Sequence, residues 1–161
     1  IIGLVISFLS TVTKLPGISW CLKTFGRQTK LPGKGALTFV LGIISSVYIF
    51  ETILGEKNIA LAAIMVLSVG DSVSHLVGRY FGKIANPLNN LKLIEGTAAG
   101  IVGAFLGSVI FVSWVQALLG SFFSMVLESV ELKIGEHIVD DNISVPLVAG
   151  LIFYFVKTLG L

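Results

Sequence analysis

The chain alternates apolar runs that approach or reach the length of a bilayer crossing with short stretches rich in charge, Gly and Pro. About 20 successive apolar residues are needed to cross the hydrocarbon layer as an α-helix. In lipid the backbone must also satisfy its hydrogen bonds internally. A chain patterned this way is expected to be all-α, a polytopic helical membrane protein. Its 161 residues are 55% apolar and only 12% charged, with a mean hydropathy of +0.97. A soluble domain carries about 25% charged residues, so a nucleic-acid binder, a disordered regulator and an ordinary cytosolic enzyme core are excluded. The length suits one transmembrane domain over 1–161.

The pattern predicts about six membrane segments. Ile1–Thr13 reads as the tail of a span and residues 18–25 as an interfacial piece. Ala36–Ile53 is a full span, and Ile59–Val69 is an apolar run half a bilayer long that continues as an amphipathic helix to about Gly82. Residues 85–93 form a polar loop. Gly96–Val115 is a Gly-rich span, Gln116–Val130 a shorter helix, and Ile143–Leu161 the last span. Lys14, Lys23, Arg27, Lys30 and Lys34 lie together with no acid among them, which places that loop in the cytoplasm. Two out-and-back trips then bring residues 71–95 and 128–142 to the same face. Cys21 is the only cysteine, so there is no intrachain disulfide and no zinc spacing. The sequence starts without Met, part-way into an apolar run, and an upstream segment is expected.

The polar residues fall into three constellations. In the first, Gly70, Ser74, Gly78 and Gly82 recur every fourth residue, a smooth ridge that admits a neighbouring helix or a phosphate. Asp71, His75, Arg79 and Lys83 share that spacing on an adjoining stripe. An ionisable residue in lipid costs at least ~2.5 kcal/mol, so Asp71 must face the bundle interior or a wet cavity. A structural polar cluster holding helices together is the plain alternative.

The second constellation is Lys92-Leu-Ile-Glu95-Gly96-Thr97, where a helix start offers free N–H groups to an anion. Glu95 and Thr97 serve equally well as plain caps. The third is Asp140-Asp141-Asn142 ahead of Pro146, hard oxygen donors of the kind Mg²⁺ prefers, or else a cap on the last helix. Glu128, in an apolar helix, is as costly a position as Asp71. His75 and His137 are too isolated to read as metal ligands. Acids, cations and backbone donors meeting at one aqueous mouth of an apolar bundle are what phosphoryl transfer needs, and an acceptor arriving through the membrane would be a lipid.

GDSVSHLVGRYFGK, then KLIEGT, then ESVELK and DDNISVPLVAG, in that order, resemble the CTP-dependent lipid kinases: the dolichol (polyprenol), phytol and CTP-dependent diacylglycerol kinases. The resemblance covers roughly residues 30–161. It implies transfer of the γ-phosphate of CTP to the hydroxyl of a membrane lipid, a polyprenol or dolichol-type alcohol or diacylglycerol, with Mg²⁺. Gly70, Gly78, Arg79, Gly82 and Lys83 match the family's nucleotide motif. Lys92, Gly96, Thr97 and Asn142 match further nucleotide-binding positions. Asp71, Glu128 and Asp141 are the implied metal ligands, and Asp71 or Glu95 the acceptor of the lipid hydroxyl's proton. His75 stands where the family usually has Ala, and Leu93 where it often has Ser or Thr.

The expected enzyme is thus an integral membrane protein whose partners are CTP, a lipid alcohol and the bilayer, with no nucleic acid. Its site faces the cytoplasm, at the plasma membrane of a prokaryote or the endoplasmic reticulum of a eukaryote. Two other readings stand beside this one. A CDP-lipid-forming cytidylyltransferase would attack the α-phosphorus. A small transporter would hold its substrate at a broken helix near Gly70-Asp71.

Overall fold

A computed structural model describes residues 34–87, 89–130, 133–134, 137–138 and 140–161. The basic residues Lys14, Lys23, Arg27 and Lys30, and the expected segments 1–13 and 18–25, lie outside the described residues. The chain divides into two compact units, residues 1–41 and 42–161. In the first, the described residues are the opening turns of a helix, where the Thr38 hydroxyl donates to the Gly35 carbonyl (3.1 Å). The second carries everything that follows.

Helix α1 (Lys34–Ser46) runs into a π-helical turn, Val47–Ile53. The Ser45 and Ser46 hydroxyls donate back to the Gly42 carbonyl at 3.0 and 2.8 Å, a pattern that loosens the regular ladder just before the change of pitch. Gly55 then takes a left-handed turn (φ 71°). Helix α2 (Lys57–Met65), a π-helical section (Val66–Asp71) and helix α3 (Ser72–Phe81) follow without a break. Gly35–Ile53 and Lys57–Phe81, 19 and 25 residues long, are both long and apolar enough to cross a membrane. The apolar run Ile59–Val69, expected to continue as an amphipathic helix to about Gly82, does so to Phe81, and the two parts together are long enough to cross. No proline interrupts it, and the lone Gly70 loosens the turn without ending the helix.

Gly82 is extended (ψ 135°), so α3 ends at Phe81 and Lys83 falls off the helical stripe on which the sequence placed it. The stretch expected to be a plain polar loop instead carries two paired strands. Strand β1 (Ala85–Asn86) pairs antiparallel with β2 (Asn89–Leu93), with Ala85 opposite Leu93 and Asn86 opposite Asn89. The expected span Gly96–Val115 is instead helix α4 (Ile94–Ser108) followed by a turn. A capping box at Ser113 and Gln116 starts helix α5 (Trp114–Glu128). A second hairpin, β3 (Lys133–Ile134) with β4 (His137–Ile138), leads to helix α6 (Asp141–Thr158). The Asp140 carboxylate caps α6 by accepting from the Asn142 N–H (3.2 Å).

Small residues let these helices close on one another. A Cβ on Gly120 would lie 2.1 Å from the Phe153 ring, and one on Gly150 would lie 2.2 Å from the Phe50 ring. Each glycine is thus the seat of one aromatic. Pro146 has no N–H to return to the Asn142 carbonyl, and Gly42 packs so closely there that a Cβ would sit 2.1 Å from that oxygen. Phe50, Ile59, Val66, Ala104, Met125, Val145 and Phe153 belong to the resulting core. Large apolar residues cover the outside, among them Leu106, Phe122, Phe123, Leu151 and Phe155. An exposed apolar surface on this scale marks contact with a membrane or a partner.

Candidate functional site

The site is assembled where the end of the π-helical section, the β1–β2 hairpin, the last turn of α5 and the first turn of α6 come together. Asp71 closes the π-helical section, a geometry often found at functional positions. One helical turn later His75 lies on the same face, and its Nε2 is 3.1 Å from Asp71 Oδ1. Glu128, the last residue of α5, is only 2% exposed. One ligand atom from each of Asp71, His75 and Glu128 lies within 4.8 Å of the others.

Lys92 enters from β2. Its ammonium donates to the Glu128 carboxylate at Oε1 and to the Glu128 main-chain carbonyl. It also reaches Asp141 Oδ2 at 3.2 Å. The hairpin that delivers Lys92 is anchored by buried Asn86, whose side-chain amide donates to the Ser129 carbonyl (3.5 Å). The expectation that Asp71, Lys92 and Asp141 share one environment is met, with Glu128 as the link between them.

Lys92 occupies only one oxygen of Glu128. The other, Oε2, is buried and has no hydrogen-bond partner among the described residues. An anionic oxygen removed from water without a donor costs ~1–3 kcal/mol or more, and a cation placed beside it removes that cost. With the Asp71 carboxylate close by, the donor set fits a divalent cation. Asp141 does not belong to this group of three; its Oδ2 lies 3.2 Å from the Lys92 ammonium.

The remaining expected residues are placed as follows. Arg79 is exposed, with its guanidinium 5.9 Å from the Tyr80 ring centroid. Lys83 is exposed and its main-chain N–H donates to Glu95 Oε1 (3.1 Å). The Ile84 N–H donates to both Glu95 oxygens (3.2 Å each). These contacts hold the Glu95 carboxyl below the usual carboxylate range, chiefly through its own main-chain N–H and then those of Ile84 and Lys83, against an opposing desolvation. Glu95 therefore braces the strand entry as well as answering a first-turn N–H of α4. Leu93 is the N-cap of α4 and supplies no side-chain cap. The Thr97 hydroxyl donates to the Leu93 carbonyl (3.4 Å).

The glycines go to helix packing, one of the two uses the sequence left open. A Cβ on Gly70 would be 2.9 Å from both Ala104 Cβ and Met125 Sδ. One on Gly96 would be 2.7 Å from the Ser74 carbonyl oxygen, and one on Gly82 would be 2.3 Å from the Leu93 side chain. Gly78 faces Gly96 across the same crossing. Protein thus covers the Cα faces expected to receive a phosphate.

His75, which the sequence set aside as too isolated to be a metal ligand, lies beside Asp71, and its place four residues after Asp71 was the signal for that. Sequence reasoning missed that Lys92 answers carboxylates. The broken helix that motivated a transporter is a continuous one.

No protein-family model matches the chain, and no solved structure does. Several named proteins are similar to it. A chloroplastic protein of Triticum aestivum named "Probable phytol kinase" is 32% identical over 136 residues, which are 75% of this chain and 43% of the wheat protein. The farnesol kinase of Arabidopsis thaliana, also chloroplastic, is 29% identical over 133 residues, 73% of this chain and 41% of its own length. An uncharacterized protein of Methanocaldococcus jannaschii is 25% identical over 152 residues, 94% of this chain and 74% of its own. The chain spans less than half the length of the plant relatives it matches.

Proposed function

Since the chain belongs to the lipid kinase family that includes the phytol and farnesol kinases, we propose that it transfers the γ-phosphate of CTP to the hydroxyl of a membrane isoprenoid alcohol. The observation that carries this reading is the buried, unanswered Oε2 of Glu128 beside Asp71, at a mouth where Lys92 and Asp141 also converge. Phosphoryl transfer asks a protein mainly for position and charge.

In this reading Asp71 and Glu128 would hold a divalent cation. The ion would supply neutralisation of the charge that develops on the phosphate oxygens. Lys92 fixes Glu128 and Asp141 in place. Arg79 and Lys83, both exposed, hold the outer phosphates. The lipid oxygen bonds to the γ-phosphorus, the bond to the β–γ bridging oxygen breaks, and CDP leaves. The hydroxyl proton passes to Asp71. Glu95 is the weaker acceptor, because two neighbouring main-chain donors already engage its oxygens.

A lipid acceptor is supported by an apolar groove between α5 and α6, lined by Leu119, Phe123, Leu127, Ile152, Phe155 and Leu159. One end lies at Leu127, in the same last turn of α5 as Glu128, so the groove runs toward the end of α5 that carries this carboxylate. The two long apolar helices and the apolar exterior support an integral membrane enzyme, and the excess of Lys and Arg over 14–35 in the sequence favours a cytoplasmic site by the positive-inside rule.

The test is a product assay on full-length protein in lipid vesicles, with γ-labelled CTP and a panel of phytol, farnesol, dolichol and diacylglycerol. Labelled lipid monophosphate with stoichiometric CDP is expected. Pyrophosphate with a CDP-lipid, or no labelled lipid with any alcohol, would overturn the proposal.

A further inference from the structure

We infer that Asp71, His75 and Glu128 form a mixed nitrogen–oxygen site that selects a first-row transition dication of the Mn²⁺ type over Mg²⁺. The inference deepens the kinase reading, because it concerns the metal at the same site.

His75 and Asp71 project from one helix face at i and i+4, which fixes their relative position through backbone alone. Glu128 closes the set from α5, with ligand atoms of all three within 4.8 Å. Ligand atoms in adjacent positions on a small octahedral dication lie about 3 Å apart, given bond lengths of about 2.0–2.2 Å. The 3.1 Å His75–Asp71 separation already matches that value. Only Glu128 has to close in, and its Oε2 is the buried oxygen with no partner among the described residues.

Chemistry then decides the metal. Mg²⁺ takes oxygen donors, keeps several waters and gains little from an imidazole. Later first-row dications accept imidazole nitrogen and rank above Mg²⁺ at N/O sites, while Mn²⁺ still favours octahedral carboxylate and water ligation. Lys92 sharpens the choice. By holding Glu128 Oε1 it leaves Glu128 to bind through one oxygen, and Asp141 lies outside the group of three. Two carboxylates and one neutral imidazole match a dication in charge and leave positions for water or phosphate oxygens.

The experiment uses the full chain in detergent without nucleotide. Mn²⁺ is titrated while the free aquo-ion is followed by electron paramagnetic resonance. Mg²⁺ competition and pulsed detection of ¹⁴N coupling are run on the same samples. The expected result is one Mn²⁺ per chain with a nitrogen ligand, retained against equimolar Mg²⁺. His75→Gln should remove the ¹⁴N signal and weaken Mn²⁺ by about tenfold or more, with Mg²⁺ affinity changed less than about twofold. Glu128→Gln should weaken both ions.

Equal affinity for the two ions in the unaltered protein, or a ¹⁴N signal that survives His75→Gln, would overturn the inference. CTP-dependent lipid phosphorylation by the same preparation separates the two levels. Transfer without His75-dependent Mn²⁺ binding refutes this inference and leaves the kinase reading standing. His75-dependent Mn²⁺ binding without transfer to any lipid does the reverse.

Discussion

Replacing Lys92 with Met removes one positive charge from between two carboxylates and keeps most of the side-chain volume. The Lys92 side chain is 20% exposed and that of Glu128 1%, so water screens the pair weakly. Two unit charges about 4 Å apart interact by ~4 kcal/mol at an effective dielectric of 20. The gain from no longer burying the ammonium offsets part of that loss. Breaking a buried ion pair by deleting one partner costs about 3–5 kcal/mol, because the other charge stays buried. For a domain of this size each kcal/mol is worth roughly 2–4 °C. Lys92→Met should therefore lower the midpoint of thermal unfolding in detergent by on the order of 10 °C.

The second arm of the test is the double variant Lys92→Met with Glu128→Gln, which removes both charges. It should regain most of the loss, because the penalty lies in the orphaned carboxylate rather than in the missing bond. Differential scanning fluorimetry of the four proteins gives the coupling directly. A single variant within about 2 °C of the unaltered protein, or a double variant no more stable than the single one, would refute the reasoning.

Asp71→Asn should abolish lipid phosphorylation while thermal unfolding changes by less than about 1 kcal/mol, since Asp71 remains partly solvated; loss of fold instead would return Asp71 to a structural role. Gly42→Ala and Gly35→Ala compare one substitution at two places in α1. The first drives a Cβ into the Asn142 carbonyl and should destabilise by about 1–3 kcal/mol, while the second meets nothing within 4 Å and should stabilise by up to about 1 kcal/mol, both read from thermal unfolding. The lowered Glu95 carboxyl fixes the sign of one pH effect: its stabilisation is complete above the ordinary Glu pKa and is lost as pH falls through its lower folded value. Glu95→Gln should therefore flatten the acid limb of stability against pH, and an unchanged limb would contradict the bracing role.

The sequence marks helix ends wherever a breaker or cap stands at them. Asp140-Asp141-Asn142 starts α6 close to where the pattern placed it, and Gly82 ends α3. It hides ends that fall inside apolar runs. The turn between α4 and α5 carries only Ser113 and Gln116 as a signal, in a stretch otherwise uniformly apolar. The π-helical section is hidden for the same reason, because periodicity over Ile59–Val69 cannot show a local change of pitch.

Within the site, Asp71 and Glu128 stand out because charge in an apolar context is costly, and Asp141 because it belongs to a run of hard oxygen donors. Their pairing with Lys92 does not stand out, since it joins residues 36 and 49 positions apart through a hairpin that no local pattern specifies. Gly70, Gly78, Gly82 and Gly96 show the same limit. Small size permits close approach, and only the structure shows what approaches.

The most direct test of the account is the coupling between CTP and a divalent cation, measured as the CTP dissociation constant of the full chain with and without the ion, in the unaltered protein and in Glu128→Gln. One site holding metal and triphosphate together predicts that the ion tightens CTP by about tenfold or more, a coupling of ~1.4 kcal/mol. That coupling should vanish in Glu128→Gln. CTP affinity indifferent to the ion, or a coupling unchanged in the variant, would show that the carboxylates of Asp71 and Glu128 do not gather metal and nucleotide at one place.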